Sequence, residues 1–140
     1  MNMKQNVKVT KVHAYESTAG ADHYSDIVDM ANFEGVVFLA SIGTAAANNG
    51  VKAQQDTDAA GGTMADLEGT KILSDATQVD FVLDVYRPRE RYVRCAVIRG
   101  TSTTIEAVWA IQYGAHAMPT DNDTTTQASE VHASPAEGTA

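Results

Sequence analysis

The chain has 140 residues, enough for one domain that buries about two thirds of its unfolded surface without staples. Its formal net charge of −8 argues against general nucleic-acid binding, because phosphate affinity rests on Lys and Arg. A single cysteine, Cys95, excludes an intrachain disulfide framework, and no apolar run is long enough to span a bilayer as a helix.

The start, Met-Asn-Met-Lys-Gln-Asn, leads into no apolar signal region, so the expectation is a chain made in the cytosol. Residues 6–15 alternate Val7 and Val9 with Lys8 and Thr10. The phase then shifts to Val12 and Ala14, which predicts a strand with a bulge near Lys11. Residues 17–22 are loop-like by composition, and residues 25–30 read as a short strand or extended turn. Residues 33–41 form an apolar run expected to be a buried strand, with Gly35 marking a bulge or close crossing. Asn49-Gly50 predicts a turn, followed by a half-buried strand over 51–56 and a Gly-rich turn over 58–63. Residues 64–74 are ambiguous between a helical turn in the first half and a short strand over 70–73.

Residues 79–113 carry the clearest pattern. Three runs rich in Val, Ile, Phe, Tyr and Trp are separated by Arg-Pro-Arg-Glu and Gly-Thr-Ser-Thr. Val79, Phe81, Leu83 and Val85 share one face, and so do Ile105, Ala107, Trp109, Ile111 and Tyr113. Joining the runs as a meander predicts Phe81 opposite Val97, Leu83 opposite Cys95 and Val85 opposite Val93, around a Pro88-Arg89-Glu90 loop. Asp84 then meets Arg94, and Trp109 and Ile111 meet Cys95 and Val93 on a continuous apolar face. The same register leaves Val82, Ala96, Val108 and Ala110 as an apolar stripe on the outer face, to be covered by the chain's own tail or by a partner. After Gly114 periodicity is lost. The expected organisation is a β core over 1–114 and a polar C-terminal arm of the same domain over 115–140, with 119–128 as loop. Seven or eight short strands with almost no helical periodicity predict an all-β, jelly-roll-like sandwich with an extended C-terminal arm.

Chemistry is sparse. Asp80 and Asp84 point the same way but lie about 13 Å apart on a strand, outside the roughly 5–9.5 Å of a glycosidase pair. Asp56-Thr57-Asp58 opens like a calcium loop, yet its fifth and twelfth positions are Ala60 and Leu67. His13, His23, His116 and His132 share no metal-ligand spacing, so no metal, no cofactor and no catalytic residue are expected, and the chain is read as no enzyme. Cys95 reads as a small buried hydrophobe. One distribution is unusual: all five arginines, Arg87, Arg89, Arg91, Arg94 and Arg99, fall within thirteen residues. They are either a solvated hairpin tip paired with Glu90 and Asp84, or a basic docking knob for a partner's carboxylates. Arg87, Arg89, Arg91 and Arg94 are the candidate partner-interface residues.

The strings Arg91-Tyr92-Val93-Arg94-Cys95, Arg99-Gly100-Thr101, Ala110-Ile111-Gln112-Tyr113-Gly114 and Ser134-Pro135-Ala136-Glu137-Gly138-Thr139-Ala140 resemble the capsid cement (decoration) proteins of tailed phages. The resemblance covers the last third to half of the chain. It implies a jelly-roll-like domain, made in the host cytoplasm, that forms a homodimer on the outer capsid surface of the virion. There it would bridge and stabilise major capsid protein subunits without contacting DNA or membrane. The family has no catalytic residues to carry over. The alternative is a small β-sandwich carbohydrate- or receptor-binding module, which would show exposed aromatics in a groove. A cupin-like enzyme, with metal on clustered His and Glu, is a third reading.

Overall fold

The structure is a computed structural model and describes residues 2–134 and 136–139. Two antiparallel sheets face each other across one core. The first is built from β1 (Lys8–His13), β2 (Glu16–Ala19), β5 (Gly35–Ile42), β9 (Asp80–Tyr86) and β11 (Thr103–Tyr113). Its order is β1-β11-β5-β9, with β2 extending the β1 side along β11. The second holds β3 (His23–Tyr24), β4 (Val28–Asp29), β6 (Asn49–Asp56), β7 (Ala65–Asp66), β8 (Ile72–Leu73) and β10 (Tyr92–Arg99). There β3 and β4 pair in turn with β10, β10 pairs with β6, and β6 with β7 and β8. Taking β1/β2, β3/β4 and β7/β8 as one strand position each leaves eight positions, four per sheet. Their order is that of a jelly roll, as expected. A single helical turn, α1 (Met3–Asn6), precedes β1.

The core is what period-2 patterning should produce. Phe81, Leu83 and Val85 sit opposite Ala40, Phe38 and Val36 on the inner face of the first sheet. Val93, Cys95 and Val97 sit opposite Gln55, Ala53 and Val51 in the second. With Ile42, Ile105, Val108 and Ala110, the apolar members of these rows form one buried cluster. Cys95 is fully buried within it, and burial pushes its thiol up to about 12. It is the inert hydrophobe the sequence indicated.

The meander is corrected. β9 pairs with β5, β10 with β6, and β11 with β5 and β1, so each consecutive pair crosses from one sheet to the other. The apolar faces of residues 81–85 and 93–97 do share one core, but across the sandwich rather than through a hydrogen-bonded ladder. Asp84 and Arg94 never meet. Asp84 accepts from Tyr113 Oη at 2.7 Å, while Arg94 Nε donates to Gln54 Oε1 at 2.8 Å.

A bulge in β11 overturns the second expectation. Ile105 lies opposite Ile42 and Ala107 opposite Ser41, so Glu106 is an extra residue and the strand changes phase there. Val108, Ala110 and Gln112 then point inward, while Trp109, Ile111 and Tyr113 lie half-buried on the outer face. The outer apolar stripe is therefore Val9, Ile111 and Val37 in one row and Trp109, Leu39 and Val82 in the next. In β1 the bulge expected near Lys11 is present between Lys11 and His13, and it buries Val12.

Asn49-Gly50 is not a turn but the start of β6. A Cβ on Gly50 would lie 1.9 Å from the Ile72 carbonyl oxygen, so β8 can cross only because that position is glycine. Residues 64–74 contain two short strands and no helical turn. The strands end at Tyr113, and the described residues of the arm over 115–139 form neither helix nor strand.

Candidate functional site

The five arginines do not form one knob. Arg99 is 2% exposed, and its guanidinium donates to the carbonyls of Ala21 (2.6 Å), Ser17 (3.1 Å) and Thr103 (3.3 Å). It ties the 17–22 segment to the β10–β11 corner and is unavailable to a partner. Arg94 lies on the outer face of β10, bonded to Gln54 and stacked 4.0 Å from the Tyr24 ring centroid. Arg91 makes a bidentate pair with Asp29, both bonds 2.8 Å. That pair holds Asp29 below the usual carboxylate range, with burial opposing.

The remaining two sit at the tip between β9 and β10. Arg87 has φ 50°, its backbone N–H bonds the Glu34 carbonyl at 2.7 Å, and its guanidinium reaches the Glu34 carboxylate at 3.3 Å. Arg89 is exposed and has no carboxylate partner among the described residues. The expected partners of the tip, Glu90 and Asp84, are replaced by Glu34 and Asp29. These come from the β4–β5 segment, which packs beside the tip. Glu34 and the tip residues line an open depression of about 570 Å³ together with Met30, Phe33 and His116.

The tip continues into β9, the last strand in the order of its sheet. β9 pairs with β5 on one side only, and its outward residues Asp80, Val82, Asp84 and Tyr86 are exposed, Val82 by 66% and Tyr86 by 58%. Asp80 and Asp84 are each turned back onto their own sheet, Asp80 accepting from Ser41 Oγ at 2.6 Å and Asp84 from Tyr113. Burial, and then the Asp84 contact, push the Tyr113 phenol up to about 12. A seven-residue strand with one edge unpaired and an exposed valine is a template for another strand.

The start of the opposite edge is capped by the arm. Val9 N donates to Asn122 Oδ1 at 2.8 Å, and the Val7 carbonyl accepts from Thr120 Oγ1 (2.7 Å) and Asn122 Nδ2 (3.0 Å). Lys4 Nζ bonds the Ser129 carbonyl at 2.8 Å further along. Trp109, with Lys11 stacked 5.8 Å from its ring centroid, lines a depression of about 360 Å³ together with Asp123, Thr126 and Gln127. The arm therefore covers part of the outer stripe, and Val82 lies beyond its reach.

The acidic motif at Asp56 is explained by its loop. Its carboxylate accepts from Asp58 N (3.1 Å), Thr63 N (2.8 Å) and Thr63 Oγ1 (3.0 Å), which lowers its pKa, the Asp58 bond first. The histidines are less scattered than their spacing suggested. His13 and His23 meet, beside Glu16. Spacing could not show this, because the two belong to different sheets.

No protein-family model matches the chain, and no curated protein matches it. Among solved structures it is similar to the SPBc2 prophage-derived protein YomS. Identity is 10%, coverage is 77% of this chain and 93% of that chain, and the TM-score is 0.47.

Proposed function

We propose that this chain is a virion structural protein, a capsid cement protein that sits on the outside of a phage head and bridges major capsid protein subunits as a homodimer. The carrying observation is the open edge of β9, which runs without interruption into the basic tip at Arg87 and Arg89. A jelly roll with one edge capped at its start by its own arm and the other left open is suited to pair through the open one. The sequence resemblance to phage cement proteins supplies the capsid setting.

The division of labour follows from the residues. Two β9 strands pair antiparallel about a two-fold axis. A register centred on Leu83 places Val82 opposite Asp84 and Asp80 opposite Tyr86, so no two carboxylates stand directly opposed. Capsid docking falls first to Arg89 and then to Arg87, whose guanidinium contact to Glu34 is long at 3.3 Å, because Arg91 and Arg94 are held more closely within the chain. A partner rich in surface carboxylates complements them, and icosahedral repetition multiplies a weak contact through effective concentration. No turnover is assigned.

The test is co-sedimentation of purified protein with phage heads lacking it, across a salt series. Saturable binding, heads that resist bursting, and weakening with salt are expected. Arg89→Glu should reduce head binding about tenfold or more while Arg91→Gln changes it less. Absence of binding by folded protein would overturn the reading.

One observation favours a second reading, a carbohydrate- or receptor-binding module. Trp109 is on the outer face rather than in the core, in a depression with Asp123, Thr126 and Gln127. A glycan screen in which binding is lost in Trp109→Ala would select it.

A further inference from the structure

The side of the sandwich where β1, β2 and β3 come together carries three polar residues at positions that should face the core. His13 lies opposite Val108, Glu16 opposite Ile105 and His23 opposite Val97, and all three of those partners are fully buried. Residues directly opposite in an antiparallel pair project to the same face. His13 and Glu16 thus project inward from one sheet and His23 from the other, and they meet at the mouth between the sheets. The bulge between Lys11 and His13 is what aims His13 there. All three are half-buried, and one ligand atom from each lies within 4.8 Å of the others.

The hydrogen bonds define which atoms are available. His13 Nδ1 is 2.5 Å from the Ala14 carbonyl, which can only accept, so Nδ1 carries the proton and Nε2 presents its lone pair. Nε2 lies 2.6 Å from His23 Nδ1, with the rings edge to face at 78°. An imidazole oriented through Nδ1–H by a backbone carbonyl, with Nε2 aimed at a second imidazole and a carboxylate alongside, is the arrangement that metal-binding histidines adopt.

We propose that His13, Glu16 and His23 form a binding site for one divalent transition ion of the Zn²⁺ class, which clips the two sheets together at the β1–β3 side. Tetrahedral bonds of about 2.0–2.1 Å place two nitrogens roughly 3.3 Å apart, so the imidazoles need to part by less than about 1 Å. Two imidazoles and a carboxylate suit Zn²⁺, Co²⁺ or Ni²⁺ rather than Mg²⁺ or Ca²⁺, which prefer all-oxygen shells. Three protein ligands leave a fourth position for water or for a donor from another chain.

The test uses the full chain, stripped with chelator and titrated with Zn²⁺, Co²⁺ and Mg²⁺ at neutral pH. One Zn²⁺ per chain should bind saturably. At a hundredfold excess over Kd the melting temperature should rise by about 5–10 °C, and Mg²⁺ should give no rise. Co²⁺ should show the intense visible bands of a tetrahedral site. His23→Gln and His13→Gln should keep the far-UV spectrum of the fold and lose the metal response, whereas His116→Gln and His132→Gln should retain it. Absence of a saturable site in the stripped protein would overturn the proposal. So would zinc binding that survives in a folded His13→Gln/His23→Gln double variant but is lost in His116→Gln or His132→Gln.

Discussion

The two edges of the first sheet are treated differently. β1 and β9 are both flanking strands, of six and seven residues, but β1 has only Val9 and Val12 as apolar residues whereas β9 has Phe81, Val82, Leu83 and Val85. At the start of β1 the Val7 carbonyl and the Val9 N–H are answered by Thr120 and Asn122, and the arm lies beside Trp109 on the outer face of the sheet. β9 has no such cover among the described residues, and it carries an exposed valine between two aspartates that are drawn onto their own sheet. An edge strand is a hazard unless it is blocked or used. The contrast teaches that this chain blocks one and keeps the other, and the tip arginines beside the open edge point the same way.

That contrast can be broken most severely by removing the arm. Truncation after Gly114 strips the bonds to Val7 and Val9 and bares Trp109. A loss of roughly 3 kcal/mol is expected from several hydrogen bonds of about 1 kcal/mol each, together with concentration-dependent self-association through β1. Urea unfolding and light scattering would measure both, and unchanged stability would show that the arm closes nothing. Asn122→Ala is the finer version. It should cost about 1–2 kcal/mol in urea unfolding by leaving the Val9 N–H without its protein partner.

Acid should act through carboxylates of the second sheet, away from both edges of the first. Asp29, Asp56 and Asp66 have folded pKa values below the ordinary 3.8, by the Arg91 bond, the Asp58 N–H and the Lys52 bond respectively. A depressed folded value contributes stability that is present above 3.8 and lost as pH falls through the folded value. The melting temperature should stay flat from about pH 7 to 5 and fall below about pH 4. The smallest effect on the fold comes from Val82→Glu, within about 0.5 kcal/mol because the side chain is already in solvent. The same substitution sets a carboxylate opposite Asp84 of the second copy, twice per pair, and should abolish pairing there.

Much of the fold was legible because alternation reports which face a residue takes. Phe81, Leu83, Val85, Val93, Cys95 and Val97 all face the core as their pattern indicates. Alternation does not report which strand lies alongside. An apolar face meets its complement equally well across a sandwich or along a hairpin, so the meander and the jelly roll satisfy the same pattern. The Trp109 error has a local cause. One extra residue, Glu106, reverses the phase of everything after it, and nothing in Thr-Ile-Glu-Ala-Val-Trp marks the bulge. The arginine cluster was visible as a density in sequence, yet Arg99 and Arg94 diverge from the tip because strand direction carries them away from it. Asp29 and Glu34, which define what the tip can offer, come from more than fifty residues earlier and left no local signal.

The account's central claim is that the open β9 edge is the surface through which this chain associates. The most direct measurement is the solution mass of the intact protein and of Val82→Glu by sedimentation equilibrium over a wide concentration range. The account predicts twice 14.9 kDa for the native chain and a single 14.9 kDa chain, equally well folded, for the variant. A native chain that stays at one copy throughout, or a variant that still forms the same dimer, would contradict it.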